Sequence, residues 1–194
     1  MKRSLSSLFR GNYIAKFPPF VIGLIFLIFG IVTYFNLIKD INYVVTLLCT
    51  VLMLSGTLEV FFAIMNKSFY KDWKWSFSFG LLSFIIGVLL LSEYNLTIEI
   101  ISFYLGVYFI FRSFITLNFV VDLYRANKEK AKVIFGLVSV LLISGFLLIW
   151  MPQKIHSIVN YLNGVALLLT GYLIFYTYSR IRNKINQSNR IINL

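Results

Sequence analysis

The chain has 194 residues, of which 59% are hydrophobic and 13% charged, and its formal net charge is +11. A soluble domain carries about 25% charged residues, so a chain this apolar cannot cover itself with polar surface, and a soluble globular fold is excluded. The single cysteine, Cys49, also excludes an intramolecular disulfide and reads as a small packing residue.

Residues 1–16 hold Lys2, Arg3, Arg10 and Lys16 and predict a basic segment on the cytoplasmic side. The uncharged run from Phe17 to Ile38 follows. At a rise of about 1.5 Å per residue it is long enough to cross a hydrocarbon core of about 30 Å. It does not read as a cleaved signal peptide, because its apolar stretch is too long and a second span begins at Ile41. That second span, Ile41 to Asn66, is broken only by Glu59. The third runs from Trp75 to Ser92. The fourth, Ile100 to Val121, is broken only by Arg112. The fifth covers Val133 to Gln153, and the sixth covers Ile155 to Ser179 with His156 near one end. Residues 180–194 predict a basic cytoplasmic tail that lies along the inner leaflet or is disordered. The expectation is an all-α membrane protein with six transmembrane helices in residues 17–179 and no separate soluble domain.

The positive charge is distributed by topology. Every basic residue except Lys39, Lys154 and Arg112 falls before the first span, between spans two and three, between four and five, or after the sixth. This is the positive-inside pattern, and it predicts a multi-pass inner-membrane protein with both termini cytoplasmic. It also speaks against nucleic acid as a partner. The partners it implies are the bilayer and its anionic headgroups on the cytoplasmic side; a second copy or another membrane protein stays open. Tyr43, Trp73, Trp75, Tyr94, Trp150, Tyr161 and Tyr178 near the span ends predict an aromatic belt.

Small residues repeat along the chain. Gly23 and Gly30 have the spacing of Gly80 and Gly87, 57 positions on. A third copy starts at Gly136, with its second small residue slipped to Ser144–Gly145. In the second helix of each unit, Cys49 and Gly56 match Gly106 and Ser113, which match Gly164 and Gly171. Seven residues bring a helix back to within about 20° of the same face. Each pair therefore forms a groove where another helix can come close, which is how helices hold together in lipid. The reading is three tandem helical hairpins, 17–66, 75–121 and 132–179, with long basic inner loops and tight outer turns. Parallel repeats of this kind predict pseudo-threefold symmetry about the membrane normal.

The stretch Trp75-SFSF-Gly80-LLSFII-Gly87, followed by Gly106-VYFIFR-Ser113, resembles the HdeD acid-resistance membrane proteins. The third copy, with Pro152 at its turn and Gly164-VALLLT-Gly171 after it, is similar as well. The first two outer turns depart from the family in lacking the proline, and the first copy lacks the tryptophan. The resemblance implies tandem two-helix units and a part in surviving acid stress.

The residues themselves carry little chemistry. No catalytic constellation, phosphate loop or metal-ligand cluster is legible, so the chain is not expected to be an enzyme and no cofactor or metal is called for. His156, Glu93 and Glu99 on the outer side are candidate pH-sensitive residues, with an interfacial role as the plainer reading. Arg112 and Glu59 are the exceptions. An arginine at a helix centre costs roughly 2.5–3.5 kcal/mol on insertion. The Ile, Leu, Val and Phe residues between Ile100 and Val121 outweigh it at roughly 0.3–0.6 kcal/mol each. In the repeat frame the two side chains point about 40° apart with an axial offset of about 6 Å, which predicts an ion pair in the cytoplasmic half of the bundle. Three readings stay open: a fixed salt bridge between helices, a proton or ion path, or a snorkelling arginine beside a protonated glutamate. The matching functions are a non-enzymatic protein of acid or envelope stress, a small channel or transporter built on Glu59–Arg112, or a membrane scaffold or assembly subunit.

Overall fold

The computed structural model describes residues 18–38, 40–65, 67, 73–93, 97–150 and 159–192. Six α-helices make up the described chain: α1 (Pro18–Tyr34), α2 (Ile41–Met65), α3 (Trp73–Ser92), α4 (Ile98–Ala126), α5 (Lys128–Trp150) and α6 (Val159–Ile192).

Local chemistry sets the ends. The described part of α1 begins with Pro18 and Pro19, residues that the first turn of a helix accepts because its N–H groups have no intrahelical partner. It closes at Tyr34. Asn36 takes a left-handed conformation with φ 48°, Leu37 N donates to Val32 O at 3.1 Å, and Asn36 N donates to Thr33 O at 3.2 Å. This is the Schellman pattern, with asparagine in the place usually held by glycine. Asp40 caps α2, its Oδ1 accepting from Asn42 N at 2.9 Å, and Thr97 caps α4. Asn127 serves two helices. Its N–H donates to Leu123 O at 2.8 Å, ending α4, and its Oδ1 accepts from Lys130 N at 3.0 Å, starting α5.

These ends correct the expected spans. Four helices are long and apolar enough to cross a membrane among the described residues: Asn42–Met65, Trp73–Ser92, Glu99–Arg125 and Lys128–Trp150. Six spans in three hairpins is therefore not what the chain forms. The described part of α1 has 17 residues, about 26 Å at the helical rise, which is short of a core of about 30 Å. The turn at Asn36 removes the last residues of the run that reads as a span from 17 to 38. The apolar stretch of α6 is diluted by Asn160, Asn163, Thr170 and its tyrosines. The long basic loop expected between the fourth and fifth spans shrinks to the single residue Asn127. The tail, which was open between a surface segment and disorder, continues α6 as helix to Ile192.

The hairpin pairing is corrected too. The most extensive contacts are α2 against α3, α1 against α6 and α4 against α5, whereas the two helices of each expected hairpin touch far less. The small residues explain this. A Cβ on Gly56 would lie 2.6 Å from Gly80 O, one on Gly106 would lie 2.7 Å from Gly145 O, and one on Gly171 would lie 2.9 Å from Gly23 O. Backbone meets backbone at each of these crossings, and dispersion between close helices replaces the hydrophobic drive that lipid does not supply.

The middle of the bundle is an aromatic layer. The ring of Tyr108 lies 5.7 Å from Phe26 and 5.3 Å from Phe79, and Phe109 adjoins it. Leu52, Val138, Leu141 and Leu167 are fully buried in the same core. The outer surface carries Ile28, Leu54, Phe114 and Ile143, all exposed, as lipid-facing positions of a membrane bundle require.

Candidate functional site

Glu59 on α2 and Arg112 on α4 meet in the interior. Arg112 Nη1 lies 2.9 Å from Glu59 Oε1 and 3.2 Å from Oε2. Their side chains are 7% and 13% exposed, respectively, so the attraction acts in a low dielectric rather than in water. The Arg112 guanidinium also sits over the Phe79 ring, 4.9 Å from its centroid, a cation–π contact. The Ser76 side chain is a further partner of the Glu59 carboxylate.

The Gly56–Gly80 crossing builds this site. Glu59 lies one turn beyond Gly56, and Ser76 and Phe79 lie just before Gly80. Because α2 and α3 touch through backbone there, Ser76 and Phe79 are brought against the carboxylate and the guanidinium. Thr116 Oγ1 donates to Arg112 O at 2.9 Å on the next turn of α4. A cavity of about 60 Å³ adjoins the pair, with Ile22, Thr116 and Thr177 in its wall. Ser76 was not singled out in the sequence. Its signal is its spacing of four before Gly80, which places it on the crossing face, while Ser78 is exposed.

The remaining candidates separate. Glu93 and Glu99 are exposed at the ends of α3 and α4. His156 lies outside the described residues, as do Tyr94 and the side chain of Tyr178. Tyr43, Trp75, Trp150 and Tyr161 are exposed and Trp73 is half-buried. Of the small positions, Gly30 faces Leu168, Gly87 faces Met53 and Cys49, and Gly164 faces Tyr34, each with backbone within about 3.1 Å of an added Cβ. Gly136 needs correcting, because a Cβ there would meet nothing within 4 Å. The residue that α4 offers at the matching place is Ser113, buried with its hydroxyl turned back onto Phe109 O at 2.8 Å. Gly136 lies on an exposed face of α5, and the crossing of α4 with α5 is made by Gly145 against Gly106.

Among the described residues, no group of three or more His, Cys, Asp or Glu side chains could hold a metal ion.

Fold and site together define a multi-span helical membrane protein with a buried ion pair among the described residues. The chain belongs to the family described as a short repeat of unknown function (DUF308), whose model matches residues 21–92 and again 79–142. Each match contains one of the tight pairs, α2 with α3 and α4 with most of α5. No curated protein matches the chain. No solved structure matches it either.

Proposed function

We propose that the chain is a non-enzymatic membrane protein of the HdeD type that serves under acid or envelope stress, and that Glu59–Arg112 is a fixed cross-link within it. The observation that carries the reading is the pair: opposite charges 2.9 Å apart in an apolar interior, anchored beside the backbone crossing of Gly56 and Gly80. A pair held this way ties α4 to the α2–α3 unit at a defined register. The stress role rests on the resemblance of Trp75 to Gly87 and Gly106 to Ser113 to the HdeD proteins. The orientation, with both termini cytoplasmic and the basic segments against anionic headgroups, rests on the charge distribution.

A second reading, a small channel or transporter, draws on a separate observation. Cavities lie on both sides of the aromatic layer, one beside Glu59 and Arg112 and one near Asn163.

One experiment separates the two. Removing either partner leaves a buried charge alone and costs about 3–5 kcal/mol, so Glu59→Leu and Arg112→Leu each lower the melting temperature of the purified protein. The double leucine variant loses both charges together and recovers most of that loss. With a cross-link, cells carrying the double variant survive acid as well as those carrying the unaltered chain. Recovered stability without recovered survival sinks the cross-link reading and leaves the conduction path. Equal survival of cells with and without the unaltered chain sinks the stress role itself.

A further inference from the structure

The second cavity lies at the end of the bundle where α1 turns into α2. It is a partly open space of about 170 Å³, walled mainly by Phe29, Leu48, Leu105 and Leu167. Ser102 of α4 and Asn163 of α6 also face it. Ser102 is fully buried and Asn163 is 5% exposed, yet Ser102 Oγ and Asn163 Oδ1 have no hydrogen-bond partner among the described residues. A buried polar atom left without a bond costs about 1–3 kcal/mol, and both residues line one cavity, so an occupant that reaches the two side chains would supply the missing bonds.

A close helix crossing flanks the site. Gly164, next to Asn163, packs against the backbone of Tyr34, where an added Cβ would lie 2.7 Å from Tyr34 Cα. That crossing brings α6 close to the end of α1 beside Asn163. Thr33 and Asn36 continue the polar rim at the turn.

The chemistry of the occupant follows from the wall. Asn163 Oδ1 accepts and therefore asks for an N–H or O–H donor. The Ser102 hydroxyl can donate to an acceptor beside it. No charged side chain lines the cavity among the described residues, so its described wall complements a neutral ligand. Apart from Thr33, Asn36 and Asn160, the rest of the wall is apolar. A cavity of about 150 Å³ holds a benzene molecule, which sets the size. We propose that this cavity is a binding site for a small neutral amphiphile that presents a hydrogen-bond donor beside an acceptor, the primary carboxamide being the simplest such head. A carboxamide complements the Asn163 amide whichever way that amide is turned. The site is independent of the stress role and of Glu59–Arg112.

The probe is benzamide, titrated into the full-length chain in lipid nanodiscs while the side-chain amide resonance of Asn163 and the methyl resonances of Leu167 are followed. Benzoate has the same shape with a charge, and toluene has a similar shape without the polar head. The expected result is a saturable benzamide shift at both residues, with binding weakened about tenfold in Ser102→Ala and in Asn163→Leu, as loss of one such hydrogen bond predicts. Benzoate and toluene should produce no saturable shift. Melting temperatures of both variants are measured alongside. Should Asn163→Leu fail to fold, Ser102→Ala alone decides, since it removes one oxygen and leaves the backbone packing in place. A benzamide shift that never saturates, or that persists unchanged in Ser102→Ala, is partitioning into lipid and overturns the proposal. Hydration of the Asn163 amide that benzamide does not displace marks a water site and overturns it equally.

Discussion

Gly80 and Gly136 begin corresponding copies of the repeat, yet their surroundings are opposite, and alanine at each position tests what the small residues do. A Cβ on Gly80 would lie 2.8 Å from both Gly56 O and Val60 N. Ordinary contact begins near 3.4 Å, and both obstacles are backbone, so no side chain can swing away. α2 and α3 must move apart by roughly half an ångström, at an overpacking cost of roughly 1–3 kcal/mol. A Cβ on Gly136 meets nothing within 4 Å. Alanine improves helix propensity by about 0.8–1 kcal/mol at either position, so that gain cancels in the comparison. The difference between the two variants isolates crowding, about 1–3 kcal/mol. Gly136→Ala should equal or exceed the unaltered chain in stability, and Gly80→Ala should fall below Gly136→Ala. Reversible unfolding in bicelles, followed by circular dichroism, reads both. If Gly136→Ala is destabilised as much as Gly80→Ala, close backbone approach is not what these glycines provide.

Asn127→Ala removes a cap shared by α4 and α5 and should cost about 1 kcal/mol; Asn127→Asp, which keeps the capping oxygen, should recover most of it in the same unfolding assay. Ser83 Oγ donates to Leu52 O across the α2–α3 interface at 3.1 Å, so Ser83→Ala should cost about 0.6 kcal/mol, and a neutral result would remove that bond from the account. For orientation, single cysteines at Ser4, Asn95, Glu129 and Ser188 in a Cys49→Ser background are exposed to an impermeant thiol reagent on intact cells. The proposed topology has only position 95 react, and labelling at 129 or 188 reverses it. Glu129 is used because its side chain is 86% exposed, whereas Asn127 caps two helices.

The positions of the six helices were legible from the length of the apolar runs, and the pairing of Glu59 with Arg112 from a repeat frame that placed both on one side of their helices. The ends were less legible. Nothing in the run from Phe17 to Ile38 announces that Asn36 will take a left-handed conformation, because asparagine does so only where the following backbone bonds reward it. Which helices pair was harder still. Small residues two turns apart show that a face will be approached closely, but not by which neighbour. Adjacency in sequence suggested the hairpin partner, whereas the glycines match across units, Gly56 to Gly80 and Gly23 to Gly171. Ser102 and Asn163 could not be joined from sequence at all, since they lie on helices four and six and meet only because both face one cavity.

The two helices least suited to lipid are the ones that hold each other. α1 is short over its described residues, and α6 carries asparagines and tyrosines through its apolar half. Alone, each would meet the bilayer with a length mismatch or with polar groups uncovered. Packed together, they share the Gly23–Gly171 crossing and the contacts of Gly30 with Leu168 and of Gly164 with Tyr34, so the polar face of α6 turns inward and places Asn163 and Thr170 in the interior. The first and last helices of the chain thereby close the bundle. Their place in it is a consequence of tertiary packing, whereas α2 to α5 carry enough apolar length to qualify individually. Both family matches fall short of α6, so the repeat as matched lacks the helix that closes it, and the partner of α1 comes from the far end of the chain.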